Sequence, residues 1–164
     1  MDARDMLCRP DALDLRNAMA NGFTLIELMA TVTIAAILMA VATPYYRDFV
    51  LGQRIRTASY DIASTLTYAR SEAIKRNNSV TIAPATGGWQ YGWTVSSGAV
   101  TLNQHEAPSG VTINGPAGTV VYNGSGRLAA AVNPFGISAV GSTAAPRCIN
   151  VDLSGLPSSL AGSC

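Results

Sequence analysis

The chain has 164 residues, about the length of one domain. Hydrophobic residues make up 48% of it but charged residues only 13%, well below the roughly 25% of an average soluble domain. The net charge of +1 excludes a strongly acidic or basic body that would attract nucleic acid or anionic lipid as a whole, and the high apolar content excludes a disordered chain.

The first predicted element is an apolar helix near the amino terminus. Residues 28–46 contain no charged side chain over nineteen positions, about the 20 residues that a helix needs to cross a membrane. A cleaved secretory signal is excluded because no small-residue cleavage site follows the run, which continues past Pro44 into a helical pattern. The remaining alternative to a membrane span is a buried core helix, although little precedes the run that would bury it.

Glu27 interrupts the apolar pattern at its beginning. A charged side chain in the middle of a membrane span costs about 2.5 to 3.5 kcal/mol on insertion scales, so a carboxylate here needs a partner or the headgroup layer. Position alone does not separate these two interpretations.

A second, amphipathic stretch follows and predicts a continuation of the same helix. Its apolar positions recur at steps of three and four. They are Leu51, Ile55, Ala58, Ile62, Leu66, Ala69 and Ala73. The polar face carries Arg54, Arg56, Asp61 and Arg70, and Glu72 precedes Arg76 by four positions, a favourable helical pair. We therefore predict one long helix from Thr24 to Arg76, bent at Pro44 and closed by Asn77-Asn78.

From residue 79 the pattern changes to short β-branched or aromatic runs separated by glycine and proline. The runs are 79–82, 89–95, 111–113, 119–122, 136–140 and 149–151. Asn123-Gly124 is the clearest hairpin signal among the turns. We predict an α+β fold in which the long helix packs on a small antiparallel β-sandwich or sheet.

Catalytic and metal chemistry has little support in the sequence. The single histidine, His105, stands beside Glu106 in a predicted loop, with no second ligand at metal spacing and no nucleophile motif. We therefore expect neither an enzyme nor a bound cofactor or metal.

The residues around the start of the apolar helix resemble a known processing site. Gly22-Phe23-Thr24-Leu25-Ile26-Glu27 before an apolar helix resembles type IV pilins and type II secretion pseudopilins. The resemblance implies that a prepilin peptidase cleaves after Gly22 and methylates the new amino terminus at Phe23. It further implies that Glu27, with Thr24 beside it, serves filament assembly by pairing with the terminal amine of a subunit. Pro44 falls where pilins carry a helix-bending proline.

This resemblance divides the chain into a cleaved leader (1–22), an apolar helix (23–50), an amphipathic helix half (51–76) and a β-rich domain (77–164). The leader departs from the short, basic family pattern, and translation from Met6 or Met19 would leave the same junction. The implied location is the inner membrane with a periplasmic carboxyl-terminal domain, then an extracellular pilus. The implied partners are prepilin peptidase and other major and minor pilins.

A second resemblance narrows the family. The stretch 68–76, Val80-Thr81-Ile82, Gly92-Trp93 and Gly126-Arg127 resemble, in this order, the GspH/FimT group of minor pilins and pseudopilins. The resemblance implies a structural subunit that primes or caps a type IV pilus at the filament tip. The alternative within the same chemistry is a minor pseudopilin of a type II secretion system.

Cysteine usage fits export. Cleavage removes Cys8 and leaves Cys148 and Cys164, sixteen positions apart. A disulfide between them would add about 3 kcal/mol in the chain-entropy model, would need an oxidising compartment such as the periplasm, and would pin a tail that otherwise frays. Two unpaired thiols are the alternative. A pair at this place resembles type IV minor pilins more than secretion pseudopilins.

A third hypothesis is a DNA-binding competence pilin. Some FimT-like proteins bind DNA through a Gly-Arg-x-Arg stretch, but the matching place here reads Gly155-Leu156-Pro157-Ser158. Phosphate contacts come chiefly from Lys and Arg, which residues 148–164 lack. Arg127 and Arg147 are the remaining candidates for weak contacts to DNA.

Overall fold

The computed structural model describes residues 22–106 and 108–164, so the predicted leader (1–22) lies outside it except for Gly22. The elements that it describes are one helix and eight strands. They are α1 (Leu25–Arg76), β1 (Val80–Ala85), β2 (Gly88–Ser97), β3 (Val100–Glu106), β4 (Thr112–Asn114), β5 (Val120–Tyr122), β6 (Phe135–Ser138), β7 (Arg147–Val151) and β8 (Pro157–Ala161). The chain forms two compact units, one ending at Ala40 and one spanning Val41–Cys164.

In the first unit the described residues, 22–40, are all exposed. The hydroxyl of Thr31 donates a hydrogen bond to the carbonyl oxygen of Leu28 over 2.9 Å, and the hydroxyl of Thr33 donates to the carbonyl of Met29. These bonds give the two polar groups partners within the helix. The segment therefore presents an apolar surface in which these hydroxyls need no water.

In the second unit the amphipathic half of α1 packs on the rest of the domain through the stripe of apolar positions predicted above, which runs from Leu51 to Ala73. Six of its seven apolar positions are buried, and Leu51 is half-buried. Thr65 is also buried on this side, and its hydroxyl donates to the carbonyl of Asp61 over 2.7 Å. The same hydroxyl oxygen accepts a hydrogen bond from the indole Nε1 of Trp93 in β2 over 3.1 Å. A buried polar contact is thus fully satisfied at the helix–sheet interface.

The asparagine pair Asn77-Asn78 directly follows the last residue of α1, Arg76. Asn77 has a φ of 46°, a left-handed conformation that asparagine tolerates better than most residues. Its N–H donates to the carbonyl of Ile74, and that of Asn78 donates to the carbonyl of Ala73, both over 3.2 Å. These two bonds form a Schellman motif, which satisfies carbonyls that would otherwise lack partners.

The strands form two antiparallel four-stranded sheets, in the orders β3-β2-β1-β5 and β4-β6-β7-β8. Trp89 of β2 joins the two sheets, because its ring meets that of Phe135 in β6 edge to face at 4.8 Å. Its indole nitrogen donates to the carbonyl of Pro116 over 2.8 Å. The predicted α+β fold, a long helix with an antiparallel β domain, is confirmed.

Two strands were not expected from the sequence, and both lie at sheet edges. β3 contains His105, which was predicted to be a loop residue; the prediction is wrong, because His105 pairs with Trp93 across β2 and β3 and stacks on its ring at 5.1 Å. β8 occupies the tail that was expected to be pinned by the disulfide alone and to fray without it. It pairs with β7 from Arg147↔Ala161 to Val151↔Pro157, so backbone hydrogen bonds hold the tail as well.

Candidate functional site

The proposed cleavage bond lies just before the helix. Gly22 and Phe23 are exposed and precede the first residue of α1, Leu25. The side chain of Phe23 is 78% exposed. A bond in a non-helical, exposed segment suits a peptidase, because the enzyme reaches it without unwinding the helix.

Thr24 caps α1. Its hydroxyl accepts a hydrogen bond from the backbone N–H of Glu27 over 3.2 Å, and its carbonyl accepts one from the N–H of Leu28 over 3.1 Å. The spacing Thr24-x-x-Glu27 is that of a capping box. Thr24 therefore has a local structural role in addition to the assembly role that the resemblance implies.

The carboxylate of Glu27 is exposed and, within the described part of the chain, forms no hydrogen bond or ion pair. It lies in the first turn of α1, where the helix dipole favours a negative charge. The cap thus uses the backbone of Glu27 and leaves its side chain available for a partner outside the chain.

The apolar half of α1 is long enough to cross a membrane. An 18-residue window of the helix has a mean hydropathy of 2.3, and none of that window is buried. Pro44 lies inside α1, which continues through it to Arg76. The surface ahead of Pro44 therefore needs lipid or other helices to cover it.

The carboxyl-terminal cysteines are joined in the structure. The sulfur atoms of Cys148 and Cys164 are 2.12 Å apart and the two Cα atoms 5.1 Å apart. Cys148 lies in β7 opposite Leu160 of β8. Gly136 of β6 lies beside the bond, and a Cβ atom at this glycine would be 3.8 Å from the sulfur of Cys164. The disulfide closes the loop that contains β8.

The region matched to the DNA-binding stretch, 155–158, begins in the tight turn between β7 and β8 and continues into β8. The carboxylate of Asp152 accepts hydrogen bonds from the N–H groups of Ser154 and Leu156 over 2.9 and 3.4 Å, and from the hydroxyl of Ser154. These bonds lower the pKa of Asp152, chiefly the bond from the Ser154 side chain. The positions that match the two arginines are Leu156 and Ser158, and the acid Asp152 closes the turn just before them.

The two arginines named as candidate DNA contacts lie in different parts of the β domain. Arg127 is exposed in the turn after β5, and β5 is an edge strand of the sheet β3-β2-β1-β5. Arg147 is the first residue of β7, which belongs to the other sheet. Among the described residues there is no group of three or more histidine, cysteine, aspartate or glutamate side chains placed to hold a metal ion.

A contact that no sequence signal marks ties the helix to a distant loop. The carboxylate of Asp48 in α1 accepts hydrogen bonds from the hydroxyls of Ser142, over 3.1 Å, and Thr143. The hydroxyl of Ser142 in turn accepts one from the N–H of Ala144 over 3.0 Å. The bond from Thr143 is the largest influence that holds the pKa of Asp48 below its usual value.

The Asp48 contact predicts a pH dependence of stability. Since the pKa is lower in the folded state, the contact contributes fully above the unfolded value, about 3.9, and is lost as the pH falls through the folded value. We expect Asp48→Asn to lower the urea midpoint of the full chain in neutral detergent near pH 6 and to reduce its fall towards about pH 3. Asp61→Asn, whose carboxylate has no hydrogen bond to any described residue, should do neither; equal effects of the two variants would contradict the assignment.

Comparisons with known protein families give two matches to this chain. The family described as type II transport protein GspH matches residues 58–155. The prokaryotic N-terminal methylation motif matches residues 17–43, which include Gly22, Phe23 and Glu27.

Similar curated proteins are fimbrial. The fimbrial protein EcpB of Eikenella corrodens is 43% identical over 51 residues, 31% of this chain and 32% of that protein. A fimbrial protein of Pseudomonas aeruginosa is 35% identical over 78 residues, 47% of this chain and 51% of that protein. The chain thus spans about a third to a half of the length of the curated relatives that it matches.

Similar solved structures include two crystal forms of the type IV minor pilin FimU of Pseudomonas aeruginosa. The form in space group P21 has a TM-score of 0.57 at 21% identity and covers 65% of this chain and 87% of that chain. The form in space group P65 has a TM-score of 0.56 at 22% identity, with 64% and 91% covered. The three structures share the pilin fold.

Proposed function

The chain belongs to the GspH family of type II transport proteins, and on this premise we propose that it is a minor pilin that primes or caps a type IV pilus at the filament tip. The family consists of pilin-like structural subunits and not of enzymes. The methylation motif implies processing by prepilin peptidase and assembly with other pilins.

The observation that carries the proposal is the exposed apolar half of α1. An 18-residue stretch of this half has a mean hydropathy of 2.3, and none of it is buried in the protein. Such a surface has to be covered by lipid or by other protein when the subunit functions. Lipid of the inner membrane covers it before assembly, and the helices of neighbouring subunits cover it in a filament. Cleavage between Gly22 and Phe23 would free the amine that pairs with Glu27 of a neighbour, where an ion pair leaves neither charge uncompensated.

Three features support a pilus over a secretion machine. The curated relatives are fimbrial proteins, the fold is shared with a type IV minor pilin, and a disulfide closes the carboxyl-terminal loop. The placement at the tip rests on the resemblance to the GspH/FimT group. In the proposed life cycle the β domain lies in the periplasm before assembly and outside the cell in the pilus.

A second candidate is a minor pseudopilin of a type II secretion system. The description of the matched family, which names type II transport, favours it. Its helix would work in the same way, so the two candidates differ in the machine and not in the chemistry of the subunit. For a DNA-binding competence pilin we find no supporting feature in residues 152–158, which include the matched stretch and carry no cation.

Deletion of the gene separates the candidates. For a minor pilin, we expect the amount of pilus sheared from the deletion strain to fall at least tenfold, and a plasmid copy to restore it. Secretion of a type II substrate should stay normal in the same strain. Normal piliation with lost secretion would transfer the protein to the secretion system, and no change in either would overturn both candidates.

A further inference from the structure

A cavity of about 300 Å³ lies between α1 and the segment that leads into β7, wholly within the second unit. Its walls include Phe49, Gln53 and Arg56 from the helix and Pro146 and Arg147 from the β domain. This volume is at the lower end of the roughly 300 to 1,000 Å³ of small-ligand clefts. The cavity has a built wall, because the hydrogen bonds to Asp48 hold the loop just before Pro146 against the helix.

The charged residues that line the cavity are both cations. Arg56 and Arg147 both line it, whereas no acidic side chain does. In the part of the chain that the structure describes, neither guanidinium forms an ion pair or a hydrogen bond. Guanidinium groups bind phosphate oxygens with two parallel hydrogen bonds, and the amide of Gln53 adds a neutral donor. The chemistry of the walls therefore fits a phosphate.

The cavity lies next to the end of the apolar run. Tyr45, Tyr46 and Phe49 are 76%, 68% and 63% exposed, and aromatic side chains of this kind concentrate at membrane–water interfaces. At a rise of 1.5 Å per residue, Phe49 is about 4.5 Å and Arg56 about 15 Å beyond Tyr46 along the helix axis. Helical side chains on average lean towards the amino terminus, which from Arg56 is the direction of Phe49 and Tyr46.

From this juxtaposition we propose that the cavity between Arg56 and Arg147 binds the phosphate of an anionic phospholipid headgroup while the subunit waits in the membrane. The proposal rests on the proposed function, which places α1 in a membrane before assembly. We favour a lipid over an acidic side chain of a neighbouring subunit as the occupant. The reason is that the exposed tyrosines and the end of the uncharged run (28–46) place the cavity beside the headgroup layer. Binding there would hold the β domain close to the membrane surface until the subunit is extracted into a filament.

The test measures lipid preference of the full chain in neutral detergent micelles. Short-chain phosphatidylglycerol and phosphatidylcholine with equal acyl chains are titrated separately, and native mass spectrometry counts the bound lipids. We expect one phosphatidylglycerol per chain, bound at least tenfold more tightly than phosphatidylcholine. The double variant Arg56→Gln/Arg147→Gln should bind the two lipids alike. Arg127→Gln, a control that removes an exposed arginine from outside the cavity, should keep the preference.

Further measurements make each outcome decisive. Circular dichroism melting of both variants shows whether the fold is retained, and single substitutions at Arg56 and Arg147 replace the double variant if it unfolds. Equal binding of the two lipids by the unaltered chain, or full displacement of phosphatidylglycerol by equimolar inorganic phosphate, would overturn the lipid site. Loss of the double variant from pili without any lipid preference in the parent would assign the cavity to an acidic subunit instead.

Membrane extraction separates failure of the lipid site from failure of the proposed function. If the chain resists alkaline extraction from membranes but shows no headgroup preference, only the cavity assignment fails. If the chain is extracted as a soluble protein, the membrane stage of the proposed function fails with it.

Discussion

Gly155→Ala is expected to lower the free energy of unfolding of the β domain by about 3 to 5 kcal/mol. Gly155 has a φ of +83°, which costs any side-chain-bearing residue about 1 to 3 kcal/mol. A Cβ atom there would lie 2.4 Å from the backbone oxygen of Gly126 and 2.8 Å from Cε1 of Tyr122. Both neighbours would have to move, because the distances are shorter than any van der Waals contact.

The neighbours of Gly155 are themselves held. The carbonyl oxygen of Gly126 accepts a hydrogen bond from Nε of Arg70 in α1 over 3.1 Å, so its displacement would break a contact between the helix and the turn after β5. The hydroxyl of Tyr122 donates to the carbonyl of Gly155 over 3.3 Å, and burial raises the pKa of this tyrosine to about 12. Strain at Gly155 therefore spreads to the helix, to β5 and to the β7–β8 turn together.

The experiment compares melting of the full chain in detergent with that of a matched variant. Gly141 has a similar φ of +72° but nothing within 4 Å of its Cβ position. Gly141→Ala should therefore lower the free energy of unfolding only by the backbone cost, about 1 to 2 kcal/mol. The larger loss of free energy in Gly155→Ala should lower the melting temperature by about 10 °C. Equal shifts for the two variants would show that the close packing at Gly155 is relieved cheaply.

The sequence predicted the helix well because its signals are local. The stripe from Leu51 to Ala73 has helical spacing, and Asn77-Asn78 marks the end by a conformation that few residues tolerate. Glu72 accepts hydrogen bonds from both Lys75 and Arg76, at 3.0 and 2.9 Å, so the predicted pair is part of a slightly larger network. Periodicity and capping act over a few residues, and both are visible in a single sequence.

The edge strands escaped prediction for the opposite reason. β3 is exposed at most of its positions and contains Asn103, Gln104 and His105, while β8 reads Pro-Ser-Ser-Leu-Ala. An edge strand has one unpaired side, and these two show little alternation of apolar and polar residues. Their extended conformation is therefore determined by pairing with β2 or β7, and their own sequence pattern does not reveal it. The contacts of Asp48 escaped for a related reason, since Ser142 lies 94 residues away in the chain.

Glu27→Gln is expected to leave cleavage after Gly22 intact and to lower incorporation of the subunit into pili by roughly 100-fold or more. Glutamine has the same shape and suits the same helix position, so the variant removes the charge alone. Leaving a buried partner charge unpaired costs about 3 to 5 kcal/mol, and each 1.4 kcal/mol corresponds to a factor of ten. The expected loss follows if the carboxylate pairs with a terminal amine in an apolar filament core.

Two companion variants separate charge from helix structure. Thr24→Val removes the capping oxygen seen 3.2 Å from the N–H of Glu27 but keeps the carboxylate, so it should cost about 1 kcal/mol and lower incorporation less than tenfold. Thr33→Val removes a hydroxyl that is satisfied within the helix by the carbonyl of Met29, and it should be incorporated normally. Quantitative immunoblots of sheared pili against the cell-associated pool measure all three variants.

The amino terminus of each variant must be determined in the same samples, because the interpretation depends on it. A mature chain that begins at Phe23 and yet fails to enter pili places the defect of Glu27→Gln at assembly. An uncleaved Glu27→Gln chain would instead make Glu27 a determinant of peptidase recognition. Normal incorporation of Glu27→Gln would mean that the carboxylate has no role in assembly. Glu27 would then act only through its favourable interaction with the helix dipole in the first turn of α1, where the cap engages its backbone N–H and not its side chain.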